Sequence, residues 1–175
     1  MANAVVDDRV ATLFSRVPSG TRLCKFDDTT GRFTENVFRR KHWTEPNETL
    51  SPGEGALIFN PKAQALEVTI TGVCNFDGMV VPRGLSLISS PACVNINFAP
   101  LVLPPVPVGV GWDNLAFNPQ EGDEVYTFNN ASQSYQIHYF HNGSWDNQPF
   151  VGEGESCFVR TLVSRQIAWT APRPY

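Results

Sequence analysis

Short runs of alternating apolar and polar residues cover most of the chain, and turn-forming residues separate them. The alternation is clearest at residues 23–26 and 125–128, each followed by a turn rich in Asp or Asn. Residues 33–38 and 135–140 are predicted to be the return strands of two hairpins. A period of two is typical of half-buried strands, so the pattern predicts short antiparallel strands.

One segment, residues 4–17, has helical spacing instead. Its apolar residues recur every three or four positions; they are Val6, Val10, Leu13, Phe14 and Val17. Acidic residues stand near its start and Arg16 near its end, as the helix dipole favours. Pro18 and Gly20 follow and end the segment. We therefore expect one short N-terminal helix that lies across one end of a sheet.

The chain contains one pattern twice, at a fixed offset of 102 residues. The matched pairs are Gly20 and Gly122, Phe26 and Phe128, Phe33 and Tyr135, Phe38 and Phe140, and Trp43 and Trp145. Rare residues that recur in the same order indicate a duplicated structural unit.

A second set of matches follows at an offset of 99. It pairs Gly53, Glu54 and Gly55 with Gly152, Glu153 and Gly154, Phe59 with Phe158, and Val68 with Ile167. We expect each Gly-Glu-Gly to form a sharp bend before a strand (56–60 and 156–160), because glycine adopts positive φ. Each glutamate is expected to hydrogen-bond its own bend, which we favour over a paired-carboxylate glycosidase. Residues 68–71 and 167–170 are predicted to be the closing strands.

These matches predict two tandem modules, the first module (residues 1–72) and the second module (residues 73–175). The expected fold is all-β, with each module a small sandwich or curled barrel of short antiparallel strands and one short helix at the front. Units of this size are near the lower limit of independent stability, so we expect the two modules to share a core.

Composition narrows the functional classes. The chain has 175 residues, is 42% hydrophobic, and carries a net charge of −4 with no basic excess, which argues against a nucleic-acid partner. It contains no apolar run of about 18 residues, so no membrane span is predicted, and its N-terminus lacks a secretory signal pattern. Charged residues make up 17%, with three lysines among 13 basic residues. Interfaces deplete lysine and keep arginine, which favours a surface covered by neighbouring subunits.

Candidate chemistry is sparse. His138 and His141 have metal-like spacing, but on a strand they point to opposite faces, so we interpret them as surface or hairpin histidines. Asp27 and Asp28 suggest calcium, yet a tight hairpin turn accounts for them better. No nucleophile or phosphate-binding motif occurs, so we predict no enzyme, no metal and no cofactor. Free thiols and one or two disulfides both stay open for the cysteines, which are Cys24, Cys74, Cys93 and Cys157.

Four aromatic residues are candidates for packing or contact: Trp43, Trp145, Tyr139 and Phe140. They could form the core, a subunit interface or a sugar-stacking platform. The two tryptophans repeat at the same module position, which favours the core or the contact between modules.

The second module resembles a β-repeat of secreted bacterial proteins of the verrucomicrobial and planctomycete kind. The segments that carry the resemblance are 84–91, 122–129, 135–140, Trp145, 151–154, 158–160 and Trp169. The repeat has no assigned activity, so the resemblance implies a scaffold and provides no catalytic residue. It also implies a secreted or cell-surface location.

The first module lacks a counterpart of the strand at residues 84–90, whose apolar residues are Leu85, Leu87 and Ile88. An open sheet edge recruits another strand, either residues 84–90 of the same chain or a strand from a neighbouring subunit. The second case is strand complementation in an open-ended filament. We therefore predict a self-assembling homo-oligomer or polymer, a structural extracellular or surface protein such as a filament, sheath or coat subunit. The alternative is a non-catalytic module that binds carbohydrate or protein.

Overall fold

Thirteen strands and one short helix make up the regular structure in a computed structural model that describes residues 7–70, 79–90, 95–98, 114–152 and 154–169. The elements are α1 (Val10–Leu13), β1 (Arg22–Asp27), β2 (Arg32–Arg39), β3 (His42–Trp43), β4 (Ala56–Phe59), β5 (Met79–Val81), β6 (Gly84–Ser89), β7 (Asn95–Asn97), β8 (Asn114–Ala116), β9 (Glu124–Asn129), β10 (Ser134–His141), β11 (Ser144–Trp145), β12 (Ser156–Thr161) and β13 (Arg165–Trp169). Strands hold 46% of the described residues, which confirms the all-β prediction.

The strands form three sheets. The first module contributes one antiparallel sheet in the order β3-β2-β1-β4. The second module contributes a five-stranded sheet, β11-β10-β9-β12-β6, and a four-stranded sheet, β5-β13-β8-β7. All pairings are antiparallel except that of β7 with β8. Within the described residues, none of the three sheets closes on itself.

The second module is a sandwich, because its two sheets enclose one apolar core. The core takes side chains from both sheets, including Val125 and Val159 from one and Val81 and Ile167 from the other, all fully buried. On β12 the alternate residues Cys157 and Val159 face this core, which is the arrangement that the period of two predicts.

The first module covers its sheet differently. Its core joins Leu23 of β1 and Phe38 of β2 to Val10 and Phe14 of the α1 segment. The prediction of a closing strand at residues 68–71 is wrong over its described part, since residues 68–70 form no strand. Val68 still packs against the core, but no neighbouring strand lies beside this segment in the described chain to hydrogen-bond its backbone.

The helix is much shorter than the predicted segment 4–17, because α1 spans four residues. Its start is set by a pairing with the loop near Thr49: the Val10 N–H donates to the Glu48 carbonyl at 2.7 Å, and Arg9 forms an antiparallel bridge with Thr49. Arg9 is therefore held extended, with ψ of 136°, and a helix cannot pass through it. Residues 1–6 lie outside the described chain.

The duplication seen in the sequence recurs in the backbone hydrogen bonds. The Gly20 N–H donates to the Phe38 carbonyl at 2.8 Å, and 102 residues later the Gly122 N–H donates to the Phe140 carbonyl at 3.0 Å. The order β3-β2-β1-β4 also matches β11-β10-β9-β12, strand for strand. The five-stranded sheet therefore repeats the sheet of the first module and adds β6 at one edge.

One sequence match does not hold in the strand register. Phe158 pairs with Tyr126, and the position in β1 that corresponds to Tyr126 is Cys24. Cys24 pairs with Leu57, not with Phe59. The match of Phe59 with Phe158 is therefore wrong, and Leu57 is the structural counterpart. The physical reason is that the second bend is followed by two more residues before the equivalent strand position.

A buried ion pair links the two sheets of the second module. Asp123, directly before β9, is fully buried, and Arg165, the first residue of β13, has a side chain only 8% exposed. The guanidinium contacts both carboxylate oxygens, with Nη2 to Oδ1 at 2.9 Å, and lies over the Phe117 ring at 5.2 Å from its centroid. Burial raises the pKa of Asp123 even though Arg165 opposes this shift.

We predict that Arg165→Met destabilises the protein by roughly 3–5 kcal/mol, because it leaves the Asp123 carboxylate buried without its counter-charge. Urea unfolding followed by circular dichroism measures this change. The matched control is Arg160→Met, which removes an ion pair to Glu124 from a side chain that is 54% exposed and should cost less than about 1 kcal/mol. Equal losses in the two variants would show that the buried pair has no special role.

Candidate functional site

The two repeated tryptophans lie in the cores. Trp43 is 2% exposed and Trp145 is 9% exposed. The Trp43 indole N–H donates to the Phe14 carbonyl at 3.2 Å, and the Trp145 indole N–H donates to the Phe98 carbonyl at 2.6 Å. Each tryptophan thus holds the segment that covers its sheet, and neither ring forms an accessible platform.

The other two candidate aromatics point to opposite faces of β10. Phe140 is buried and packs against Trp145, with ring centroids 5.2 Å apart. Tyr139 is 46% exposed on the face that points away from the core. Of the four candidates, therefore, only Tyr139 stands at the surface.

His138, interpreted as a surface or hairpin histidine, lies in the β9–β10 hairpin, but the surface interpretation is wrong. The ring is buried at 3% exposure, and its Nδ1 lies 2.7 Å from the Asn147 carbonyl while its Nε2 lies 3.0 Å from the Thr127 hydroxyl. His141, three residues on, is exposed. The inward position of His138 follows from the period of the strand, which puts it on the same face as Phe140.

A polar residue occupies the same buried position in the first module. Asn36, which is 102 residues before His138, is 1% exposed. Its side-chain amide donates to the Glu45 carbonyl at 2.8 Å, which is the same nine-residue span that separates His138 from Asn147. Both side chains therefore fix the loop after the tryptophan strand. The fixed offset is the sequence signal that could have revealed this pair.

The Gly-Glu-Gly bend of the first module is held by its glutamate, as expected. The Ser51 N–H donates to Glu54 Oε2 at 3.0 Å, and Lys25 Nζ lies 2.6 Å from Glu54 Oε1. Gly53 has φ of +87°. In the second bend Gly154 has φ of +72°, and the Gly152 N–H donates to Glu155 Oε2 at 2.9 Å. Glu153 lies outside the described residues.

The Gly-Glu-Gly bend of the first module contacts β6, the strand predicted to pair with the open edge of the first-module sheet. The Gly55 N–H donates to the Leu87 carbonyl at 3.1 Å, and the Ser89 N–H donates to the Gly53 carbonyl at 3.0 Å. Glu54 and Ile88 thereby form an antiparallel bridge, while the opposite edge of β6 pairs along its whole length with β12. Strand β6 of the same chain thus occupies the start of the open edge.

The side chains of β6 divide between two faces. Ile88 lies in the core of the second module at 2% exposure, and Leu87 points to the opposite face but is covered. Leu85 points to the same face as Leu87 and is 37% exposed. Beyond the bridge at Glu54, residues 57–59 of β4 have no strand at their outer edge in the described part of the chain.

Five aromatic rings, here called the junction cluster, join the two modules. They are Phe26, Phe33, Phe128, Tyr135 and Phe158. Phe158 lies at the centre, with ring centroids 5.5 Å from Phe26, 6.1 Å from Phe33 and 5.8 Å from Tyr135. The aromatic tip of the β1–β2 hairpin therefore packs on the five-stranded sheet, on the face opposite its core.

The rest of that face is exposed and largely apolar, and we call it the outer face. It is formed by Leu85, Phe128, Tyr135, Ile137 and Tyr139. Three of these occupy successive outward positions on β10, and cross-strand pairing sets Tyr135 beside Phe128. Such a contiguous row is unusual for side chains that face water, since exposed apolar patches mark interaction surfaces.

A polar network lies within the outer face, on β9 and β12 between Tyr139 and Leu85. Arg160 Nη1 lies 2.8 Å from Glu124 Oε1, and the Tyr126 hydroxyl donates to the other oxygen of Glu124. Burial, and then this hydrogen bond, raise the pKa of Tyr126 to about 12. The charges of Glu124 and Arg160 compensate each other, so the network adds no net charge to the face.

A cleft of about 640 Å³ lies between the modules. It is lined by Lys25, Asp27 and Glu54 on one side and by Met79 and Leu87 on the other. Its charged groups on the first side are engaged: Lys25 binds Glu54 and the Thr49 carbonyl, and Asp27 accepts the N–H of Thr29 at 2.9 Å in its own turn. The buried Ser86 hydroxyl, which also lines the cleft, has no hydrogen-bond partner among the described residues. The turn predicted at Asp27 is thereby confirmed.

Two cysteines are described, and both are free thiols. Cys157 is fully buried, and burial raises its pKa strongly. Cys24 is half-buried, and burial raises its pKa as well. Cys74 and Cys93 lie outside the described residues. Among those residues, no three side chains of the His, Cys, Asp or Glu type are grouped to bind a metal, and the single helix, of four residues, is too short to cross a membrane.

No protein-family model matches the chain, and comparison with curated proteins and with solved structures gives no significant match. The resemblance to the bacterial β-repeat stays a prediction.

We predict that Gly55→Ala weakens the contact between the modules, because the added Cβ would lie 2.9 Å from the Leu87 carbonyl carbon and 3.0 Å from that of Ile88. Backbone atoms cannot move aside as side chains do, so we expect a loss of about 1–3 kcal/mol in urea unfolding. The control is Gly152→Ala in the other bend, where the nearest atom is the flexible end of Glu155 at 3.3 Å. A loss at Gly152 as large as at Gly55 would contradict the prediction.

Proposed function

We propose that this protein is a non-catalytic structural subunit that associates with copies of itself through the outer face. The observation that carries the proposal is the row on β10, where Tyr135, Ile137 and Tyr139 are 43%, 40% and 46% exposed. Their side chains alternate with the buried His138 and Phe140, so the row is a regular feature of the strand. Association would remove these apolar surfaces from water.

The composition of the outer face supports a protein contact. Tyrosine combines a large apolar ring with a polar tip, and it is enriched at the centres of interfaces, where lysine is depleted. No lysine lies on β9, β10 or β12. The charged groups within the outer face, Glu124 and Arg160, neutralise each other, so a second copy meets no net repulsion there.

A second copy is the proposed partner because the chain already uses this face in the same way. Phe26 and Phe33 of the first module pack against Phe158, and Tyr135 belongs both to that contact and to the exposed row. The outer face therefore continues an aromatic contact that exists within one chain. A second copy supplies further exposed aromatic rings of the same kind, such as Phe33 and Phe59 at 50% exposure.

Contact between two different surfaces leaves one of each surface free on the outermost copies, so this association can continue into an open-ended assembly such as a filament, sheath or coat. The expected extracellular or cell-surface location is part of the proposal. Cell fractionation of the native source, with an antibody against the chain, would test it separately.

One observation favours a second candidate function, a carbohydrate-binding module. Tyr139 and Tyr126 lie beside Glu124 and Arg160 on adjacent strands. Aromatic rings next to hydrogen-bonding charged groups suit the apolar faces and hydroxyl groups of a sugar. This candidate uses part of the same face and predicts a monomer that binds glycans.

The test is a double variant, Ile137→Ser with Tyr139→Ser, compared with the wild type by sedimentation velocity and negative-stain microscopy across a concentration series. We expect the wild type to form larger species as concentration rises and the variant to lose them, because the row no longer excludes water. The matched control is Phe150→Ser with Val163→Ser, two side chains that are 68% and 48% exposed in loops outside the outer face. The control should assemble like the wild type.

A wild type that stays monomeric at every concentration would overturn the proposal. If that monomer binds a glycan array and the double variant does not, the second candidate function replaces it. Loss of assembly in both the double variant and the control would show that the outer face is not the contact.

A further inference from the structure

We propose that β4 is a separate contact site, at which two copies of the chain pair edge to edge, β4 with β4, about a two-fold axis. This inference uses the open edge of the first-module sheet and does not depend on the outer face. It predicts a closed dimer contact in addition to the open-ended contact proposed above.

Comparison of the two modules shows that the edge of β4 is incomplete. The counterpart strand β12 has β9 on one side and six paired residues of β6 on the other. Strand β4 has β1 on one side, and on the other side the same β6 reaches only Glu54. Residues 57–59 therefore present an edge that is covered in the second module and open in the first, within the described chain.

The backbone at this edge is oriented to receive a strand. Phe38 bonds Gly20 and Thr21, so the alternation along β1 directs the backbone groups of Arg22 and Cys24 to β4. Their partners Phe59 and Leu57 therefore use their N–H and carbonyl groups toward β1, and those of Ala56 and Ile58 lie on the open edge. A two-fold pairing centred on Ile58 would let each Ile58 N–H donate to the Ile58 carbonyl of the other copy.

The side chains favour a second copy of β4 as the occupant. Strand β4 has no charged residue, so its antiparallel pairing with itself sets no like charges opposite each other. Ile58 and Phe59 are 41% and 50% exposed. The nearby Arg22 stacks over Phe59 at 4.2 Å and is neutralised by Glu35 at 3.0 Å. Two-fold contacts between identical patches are the commonest form of self-association.

The edge also limits how far the pairing extends. Pro61 has no N–H, so a ladder cannot continue regularly past Asn60. The pairing is thus confined to residues 56–60, and short edges of this kind resist the continued addition of strands. We expect a reversible dimer that forms at high concentration.

The test is disulfide trapping with Ile58→Cys. In the proposed pairing Ile58 faces its own copy at a hydrogen-bonded position, where Cα atoms are about 5.5 Å apart. That separation falls within the range of about 4.4–6.8 Å that disulfides accept. Mild oxidation should give a several-fold excess of covalent dimer over the control Ile70→Cys, whose side chain is 52% exposed but lies outside any strand. Wild type reports the background from native thiols.

A yield of covalent dimer equal to that of Ile70→Cys would overturn the inference, as would unchanged trapping after Ala56→Pro, which removes an N–H from the open edge, is added to Ile58→Cys. Circular dichroism confirms that each variant is folded, and Ile58→Lys gives a second reading, since it should lower the dimer fraction in sedimentation equilibrium. Repeating the trapping in the Ile137→Ser, Tyr139→Ser background separates the two proposals. Trapping that survives there supports the edge contact alone, whereas trapping that fails while wild-type assembly persists removes only the edge contact.

Discussion

Each sheet in the described chain has an apolar face that would be exposed to water unless another segment packed over it. The architecture depends on the contacts that hold this covering segment in place. In the first module Trp43 donates its indole N–H to the Phe14 carbonyl, and in the second module Trp145 does the same to Phe98. The bridge of Arg9 with Thr49 has its counterpart in the bridge of Ile96 with Val151, 102 residues after Thr49. Two contacts at equivalent places therefore fasten two unrelated covers, a helical turn and a strand.

Much of the fold follows from local pattern, and the exceptions share one cause. The hairpins β1–β2 and β9–β10 could be predicted because alternation and turn residues agree there. The helix was overestimated because Arg9 is held extended by Thr49, a partner forty residues away that periodicity does not reveal. Residues 68–70 alternate like a strand, but a strand also needs a neighbour that can accept its hydrogen bonds.

The residues of the outer face could be predicted only in part from the sequence, for a related reason. On β10 both faces carry apolar or aromatic residues, and the inner face also holds His138, so composition does not tell which face is covered. Tyr139 could be named as a contact candidate, whereas Ile137 and Phe128 could not. The exposure of Ile137, Phe128 and Tyr139 depends on the position of the β1–β2 hairpin. The hairpin covers Phe158 and leaves these three side chains exposed. That position depends on contacts between modules.

The hydrogen bond from the indole N–H to a backbone carbonyl places few requirements on the sequence of the covering segment. Every residue has the same backbone carbonyl group, whatever its side chain. The tryptophan therefore fixes a position on the backbone and does not specify the amino acids there, provided that the face of the segment that covers the sheet is apolar. The sheet and its tryptophan can thus be kept while the covering segment is replaced by one of a different structure, as in the two modules. A domain with this architecture can therefore change its covering segment while its sheet stays the same.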